Sequence, residues 1–317
     1  MRLLIATAAL ATGLLGGTAL ADPPSPSPTT VPGVTITGVK ASAEKVQSFV
    51  DQLVGKPAPG VQMARWDHSI CTGVLGLPET HAQFMNDRIA ANAVAVGLEP
   101  GKPGCKPNIL VMIAPDSDAF TKQVVHDQPR AFKAFGVGHN RGPKALKAFL
   151  NSQRPVRWWH ISQTKAVGGF EVSESNPNMG TGQDGRPTVE VHTASMYHTA
   201  VVEVFGGILI IVDAKRAQGV SYQALCDYIS MVALAQIDPD ADVTALPSVL
   251  SLFDDRDAGK PLPTGLTPWG VGYLKSLYSV RADVERPSQE KREIADTLKK
   301  AAAAAPDPTP TPEAKPQ

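Results

Sequence analysis

The segment Ala224 to Ile237, ALCDYISMVALAQI, is apolar nearly all the way round a helix, with Cys226, Ile229, Val232, Ala233, Leu234 and Ile237 leaving no polar stripe. A helix of that kind has to be enclosed by other elements, so the rest of the chain must wrap it in a sheet and further helices. Within it, Asp227 needs a cation beside it or a place near the surface end of the helix. Ser221 is positioned to cap the N-terminus.

The remaining pattern supplies that wrapping. Ser42 to Leu53 has helical spacing through Val46, Phe49, Val50 and Leu53, and Val61 to Ile70 reads as a strand. Glu79 to Val96 reads as a helix with Phe84, Ile89, Ala93 and Val96 on one side, and Asn108 to Ala114 as a strand buried on both faces. Strand, helix and strand make a βαβ unit. Helices are predicted at Asp118 to His126 and Gly142 to Leu150, and a strand at Val156 to Ile161. The glycine-rich run from Val167 to Thr188 predicts an exposed loop, which includes most of 168–189. His198 to Phe205 and Ile208 to Asp213 predict a hairpin turning at Gly206-Gly207.

Residues 1–21 carry one charge, Arg2, an apolar run and the ending Ala19-Leu20-Ala21, the layout of a secretory signal peptide. Gly13, Gly16 and Gly17 interrupt the apolar run and argue against a retained anchor, and no later segment is long and apolar enough to span a membrane. Residues 22–33 form a Pro/Ser-rich linker, and 283–317 a charged helix followed by an Ala/Pro-rich tail. Without Arg2, 29 basic residues face 30 acidic ones, a balance that gives nucleic acid nothing to bind. The expected setting is therefore periplasmic or secreted. Three cysteines there allow one bridge. Cys71 and Cys105 sit beside turn residues while Cys226 lies in the apolar helix, so the reading pairs the first two; the alternative is three free thiols.

The stretch beyond the apolar helix carries a resemblance. A connection containing Asp238, Pro239, Asp240 and Asp242 leads to Ser248-Val249-Leu250, then to Leu266-Thr267-Pro268-Trp269-Gly270 running into Leu277-Tyr278. This succession resembles the active-site helix, the Ser-x-Met turn and the last helix of the matrixin-like (metzincin-related) zincins, which are zinc metalloproteases. It implies an α+β fold over residues 34–282, with a mixed β-sheet and long helices. The departures fall on the chemistry. Asp227, Met231 and Ile237 stand where that family has its three zinc ligands, and Tyr228 stands at the general base. Leu234, Leu250 and Gly270 replace the motif glycine, the turn methionine and the helix-opening aspartate. The resemblance thus implies a vestigial site with no catalytic residue, no metal and no other cofactor.

Other chemistry finds weaker support. His192 and His198 share a strand face only if one strand runs through both, and Ser195 and Ser221 lack a G-x-S-x-G setting. Gly180 to Gly185 lacks the Lys-Ser/Thr ending of a phosphate loop. His160 and Trp269 are the candidate residues of a cleft, where the zincin relationship would leave room for an extended peptide or an envelope protein. The expected function is a non-catalytic, peptide- or protein-binding envelope module; the alternatives are a hydrolase with unrecognised residues and a purely structural envelope protein.

Overall fold

The computed structural model describes residues 41–55, 62–132, 138–139, 142–167, 179–181, 187–189 and 198–304. The expected signal peptide, the linker, the start of the domain at 34–40, most of the 168–189 loop, His192, Ser195 and the tail from 305 lie outside these residues.

The fold is mixed α+β. Helix α1 (Ala43–Val54) precedes β1 (Thr72–Leu75), α2 (Glu79–Ala95) and β2 (Ile109–Ala114). Then come α3 (Ser117–Asp127), α4 (Pro129–Phe132), β3 (Gly138–His139), α5 (Gly142–Asn151) and β4 (Val156–Ala166). Strands β5 (Met179–Thr181) and β6 (Pro187–Val189) pair with each other, so part of the expected loop is itself a small antiparallel ladder. The chain continues through β7 (Val201–Asp213), α6 (Tyr222–Leu234), α7 (Leu252–Asp257), α8 (Pro268–Ser279) and α9 (Pro287–Ala303).

Among the described residues the main sheet has the order β1-β2-β7-β4-β3. Strands β1, β2 and β7 are parallel, while β4 is antiparallel to both β7 and β3. The β1-α2-β2 succession is the expected βαβ unit with its first strand displaced. Residues 62–70 make only single bridges, at Arg65 and Ile70. Side chains take the amides a ladder would have used: Met63 N–H donates to Glu290 Oε2 (3.0 Å) and Ala64 N–H to Gln236 Oε1 (2.8 Å).

The expected hairpin at Gly206-Gly207 does not form; β7 runs straight through. Its register against β4 steps from Gly207↔Ile161 to Phe205↔Ser162, leaving Gly206 as the extra residue of a bulge. The bulge shifts the alternation by one, so Phe205 and Ile208, three residues apart, both face the larger core. A Cβ on Gly206 would lie 3.1 Å from the Gln163 side chain, so a larger residue there would have to displace that amide.

The sheet separates two apolar layers. The larger contains side chains of α1, α2, α6, α8 and α9 against Ile109, Val111, Val156, Trp158, Ile208, Ile210 and Val212. The smaller packs Phe132 and Phe149 on Trp159 and Ile211, with α3 alongside. Two details of the helices differ from expectation. On α2 it is Met85, fully buried, that faces the core, while Phe84 is 45% exposed. Helix α9, expected as a charged appendage beyond 282, belongs to the larger core through Ile294, Ala295 and Leu298. Its Glu290, fully buried, pairs with Arg65 at 2.5 Å, and Arg65 also donates to Val280 O. Cys71 and Cys105 are bridged across a separation of 34 residues, a closure that stabilises by roughly 4 kcal/mol on chain-entropy grounds.

Candidate functional site

Helix α6 carries the residues that the zincin resemblance singled out. It begins at Tyr222, where Ser221 Oγ accepts the Ala224 N–H, and ends at Leu234, three residues before the expected Ile237. No glycine cap closes it. Side chains from three parts of the chain satisfy the terminal carbonyls instead. His160 Nε2 bonds Val232 O (2.9 Å), Trp66 Nε1–H donates to Ala233 O (2.8 Å) and Tyr278 O–H donates to Leu234 O (2.6 Å). Just beyond, Trp158 Nε1–H donates to Ile237 O (3.1 Å). Because a carbonyl only accepts, His160 carries its proton on Nε2.

Asp227 is fully buried and receives four donors. Arg88 of α2 grips both carboxylate oxygens, Nε–Oδ1 at 2.6 Å and Nη2–Oδ2 at 2.7 Å. Asn92 Nδ2 donates to Oδ1 (2.8 Å) and Leu266 N–H to Oδ2 (2.9 Å). Of the two expectations for Asp227, a cation or the surface end of the helix, the structure shows the first: the cation is Arg88, and the pairing ties α6 to α2 and to the loop before α8. A Cβ on Gly265 would come within 2.4 Å of Oδ2, so the loop needs glycine to approach this closely.

The other three positions that the resemblance singled out are packing residues. Met231 is fully buried, with its sulfur 3.8 Å from where a Cβ on Gly270 would be. Ile237 is 1% exposed. Tyr228 stacks edge-on against Trp158 and Phe253, and burial pushes its phenol up to about 12, so it stays protonated. Burial likewise pushes the Cys226 thiol up to about 12, which makes it a packing residue and a poor nucleophile. Of the two cleft candidates, Trp269 is only 4% exposed and belongs to the larger core. His160 lies against Phe205 at 5.2 Å with its Nε2 spent on α6. Trp269 thus stands in the core, and His160 stands against the end of α6.

A second polar centre lies at the carboxyl ends of β2 and β7, where parallel sheets commonly place ligands. Asp213 Oδ1 accepts the Lys215 and Arg216 amides, and its Oδ2 accepts Ser117 Oγ–H (2.8 Å) and Arg216 Nη1 (3.1 Å). Asp118, at the start of α3, bonds Arg157 (2.5 Å) and Arg216 (2.7 Å). Those guanidinium groups, Arg216 first, hold the Asp118 carboxyl well below the usual range. Burial works to raise Asp213, and the Arg216 amide and Ser117 outweigh it, leaving that group lowered too. Two carboxylates meet two guanidinium groups, and Ser117 Oγ is spent between Asp213 and Arg157. The cluster fastens α3 to β4 and β7.

Sequence reasoning passed over Arg88, Asn92, Trp66 and this second cluster. Only Arg88 and Asn92 had a usable signal: they are one helical turn apart, on a helix that must face the buried Asp227. Among the described residues, no three His, Cys, Asp or Glu side chains gather into a metal-binding set. No family model matches the chain, and no curated protein or solved structure is significantly similar to it.

Proposed function

We propose that this chain is an exported, non-catalytic protein of zincin-like ancestry that binds an extended peptide or an envelope protein. The observation that carries this reading is the commitment of Asp227. At the vestigial site it is the one side chain able to bind zinc through oxygen, and its carboxylate is saturated by Arg88, Asn92 and Leu266 N–H. Met231 and Ile237 offer no hard ligand, and a protonated Tyr228 is no general base at neutral pH. The Cys71–Cys105 bridge supports an oxidising compartment, and no described helix is long and apolar enough to cross a membrane. Binding by strand addition does not depend on the metal, so it is the part of a zincin's behaviour that loss of the ligands leaves intact.

Metal analysis of the purified protein and a cleavage assay on an unbiased peptide mixture test the reading. The expected result is no stoichiometric zinc and no cleavage. Chelator-sensitive proteolysis that persists in Asp227→Ala would overturn it.

A further inference from the structure

We infer that the outer edge of β1 is a docking strand for an extended peptide; this deepens the binding reading above and rests on it. The edge is defined by hydrogen bonds. In the parallel β1–β2 pair, Cys71 O faces β2, accepting the Asn108 and Ile109 amides. Backbone groups alternate along a strand, so Ile70, Thr72 and Val74 direct their N–H and C=O away from β2. At Ile70 that outward edge is already in use. Ile70 N–H donates to Glu99 O (3.0 Å) and Gly101 N–H to Ile70 O (2.6 Å), a parallel bridge to Pro100. The ladder stops after this one bridge, because the chain turns off through Lys102 to Cys105. Thr72 and Val74, next on the same edge, have no hydrogen-bond partner among the described residues for their outward backbone groups.

Among the described residues, a further strand is thus started on this edge and its continuation is open. The Cys71–Cys105 bridge holds the edge rigidly beside that starting point. Thr72, Gly73 and Val74 are half-buried, and Leu75 at the far end is 53% exposed, giving an arriving strand an apolar contact. An extended peptide can place two residues against Thr72 and Val74 and an apolar side chain near Leu75. A second copy of β1 fits poorly. In a two-fold antiparallel pairing centred on this strand, Gly76 or Leu77 of the second copy would fall opposite Ile70, where Pro100 already sits. The occupant is thus a slender peptide with β-branched or apolar residues at alternate positions.

The test uses the full chain, labelled with nitrogen-15, and a panel of ten-residue peptides in which Val, Ile, Thr or Leu alternates with varied residues. Binders are found by fluorescence anisotropy. On adding a binder, amide hydrogen exchange at Thr72 and Val74 is expected to slow by about tenfold or more, since exchange reads the opening of each hydrogen bond. The same peptide N-methylated at its pairing residues should leave those rates unchanged. Binding that protects other amides and leaves Thr72 and Val74 unprotected overturns the β1 assignment and keeps the binding reading. Absence of any binder overturns both. Protection of Thr72 and Val74 that rises with protein concentration alone would make the occupant a second copy and overturn the peptide proposal.

Discussion

At Asp227 the carboxylate is removed from water completely, while Arg88 opposite it keeps about a third of its side chain exposed, at 34%. Truncating the acid leaves Arg88, Asn92 and the Leu266 amide without their shared acceptor. Breaking such a pair from one side is strongly destabilising, because the remaining charge keeps its burial without its partner. Asp227→Ala is expected to lower stability by about 3 kcal/mol, the lower end of the range for buried pairs because Arg88 can turn part way to solvent. Urea unfolding of the two proteins measures it, and a loss below about 0.5 kcal/mol would mean that the pair holds nothing in place. That Asp227 needs either a cation or the surface end of its helix is legible from its apolar neighbours in sequence. Which cation it takes is not, because Arg88 lies 139 positions away and only the packing of α2 on α6 brings the two together.

Helix α6 shows how far element-scale reasoning reaches. Its burial and its Ser221 cap follow from periodicity and capping rules, whereas its end does not. The expected continuation to Ile237 fails because the last carbonyls are satisfied by Trp66, His160 and Tyr278, donors from the segment before β1, from β4 and from α8. Tyr278→Phe keeps the ring and deletes the donor, while Trp66→Phe deletes the donor and also removes part of a buried ring. Each is expected to destabilise by about 1–3 kcal/mol, the cost of leaving a buried carbonyl unsatisfied. Denaturant midpoints of both variants check this; wild-type stability in either would show that its carbonyl had found another donor. Strand β7 carries the opposite lesson. Gly-Gly between two apolar runs is a turn signal locally, yet eleven paired residues of β4 lie alongside, and the ladder absorbs the extra residue as a bulge.

Over the whole molecule, the buried and half-buried carboxylates set the response to acid. Asp118 and Asp213 have folded pKa values below their unfolded ones. Their stabilisation is complete above the unfolded value, about 3.9, and is lost as pH falls through the lower folded value. Glu290 runs the other way: burial first, against the attraction of Arg65, raises it. Its contribution is greatest below its unfolded value and declines as pH rises through the folded one. Asp118 and Asp213 together should dominate, so the denaturant midpoint is expected to fall steadily as pH drops below about 4. Arg216→Met, which removes the strongest partner of Asp118, should make that fall shallower. An equally steep acid limb in the variant would place the pH dependence elsewhere. The sequence by itself determined the mixture of helices and strands, the βαβ unit and the enclosed helix, and it favoured Cys71 and Cys105 as the pair, because periodicity, composition and turn residues are local quantities that a chain carries before it folds. Only the tertiary structure decided the strand order, the bulge at Gly206, the inclusion of α9 in the core, the partners of Asp227 and the single bridge from Ile70 to Pro100 beside β1. Each of these depends on which distant segments meet, and hydrogen bonds between residues remote in sequence leave no periodic trace in it.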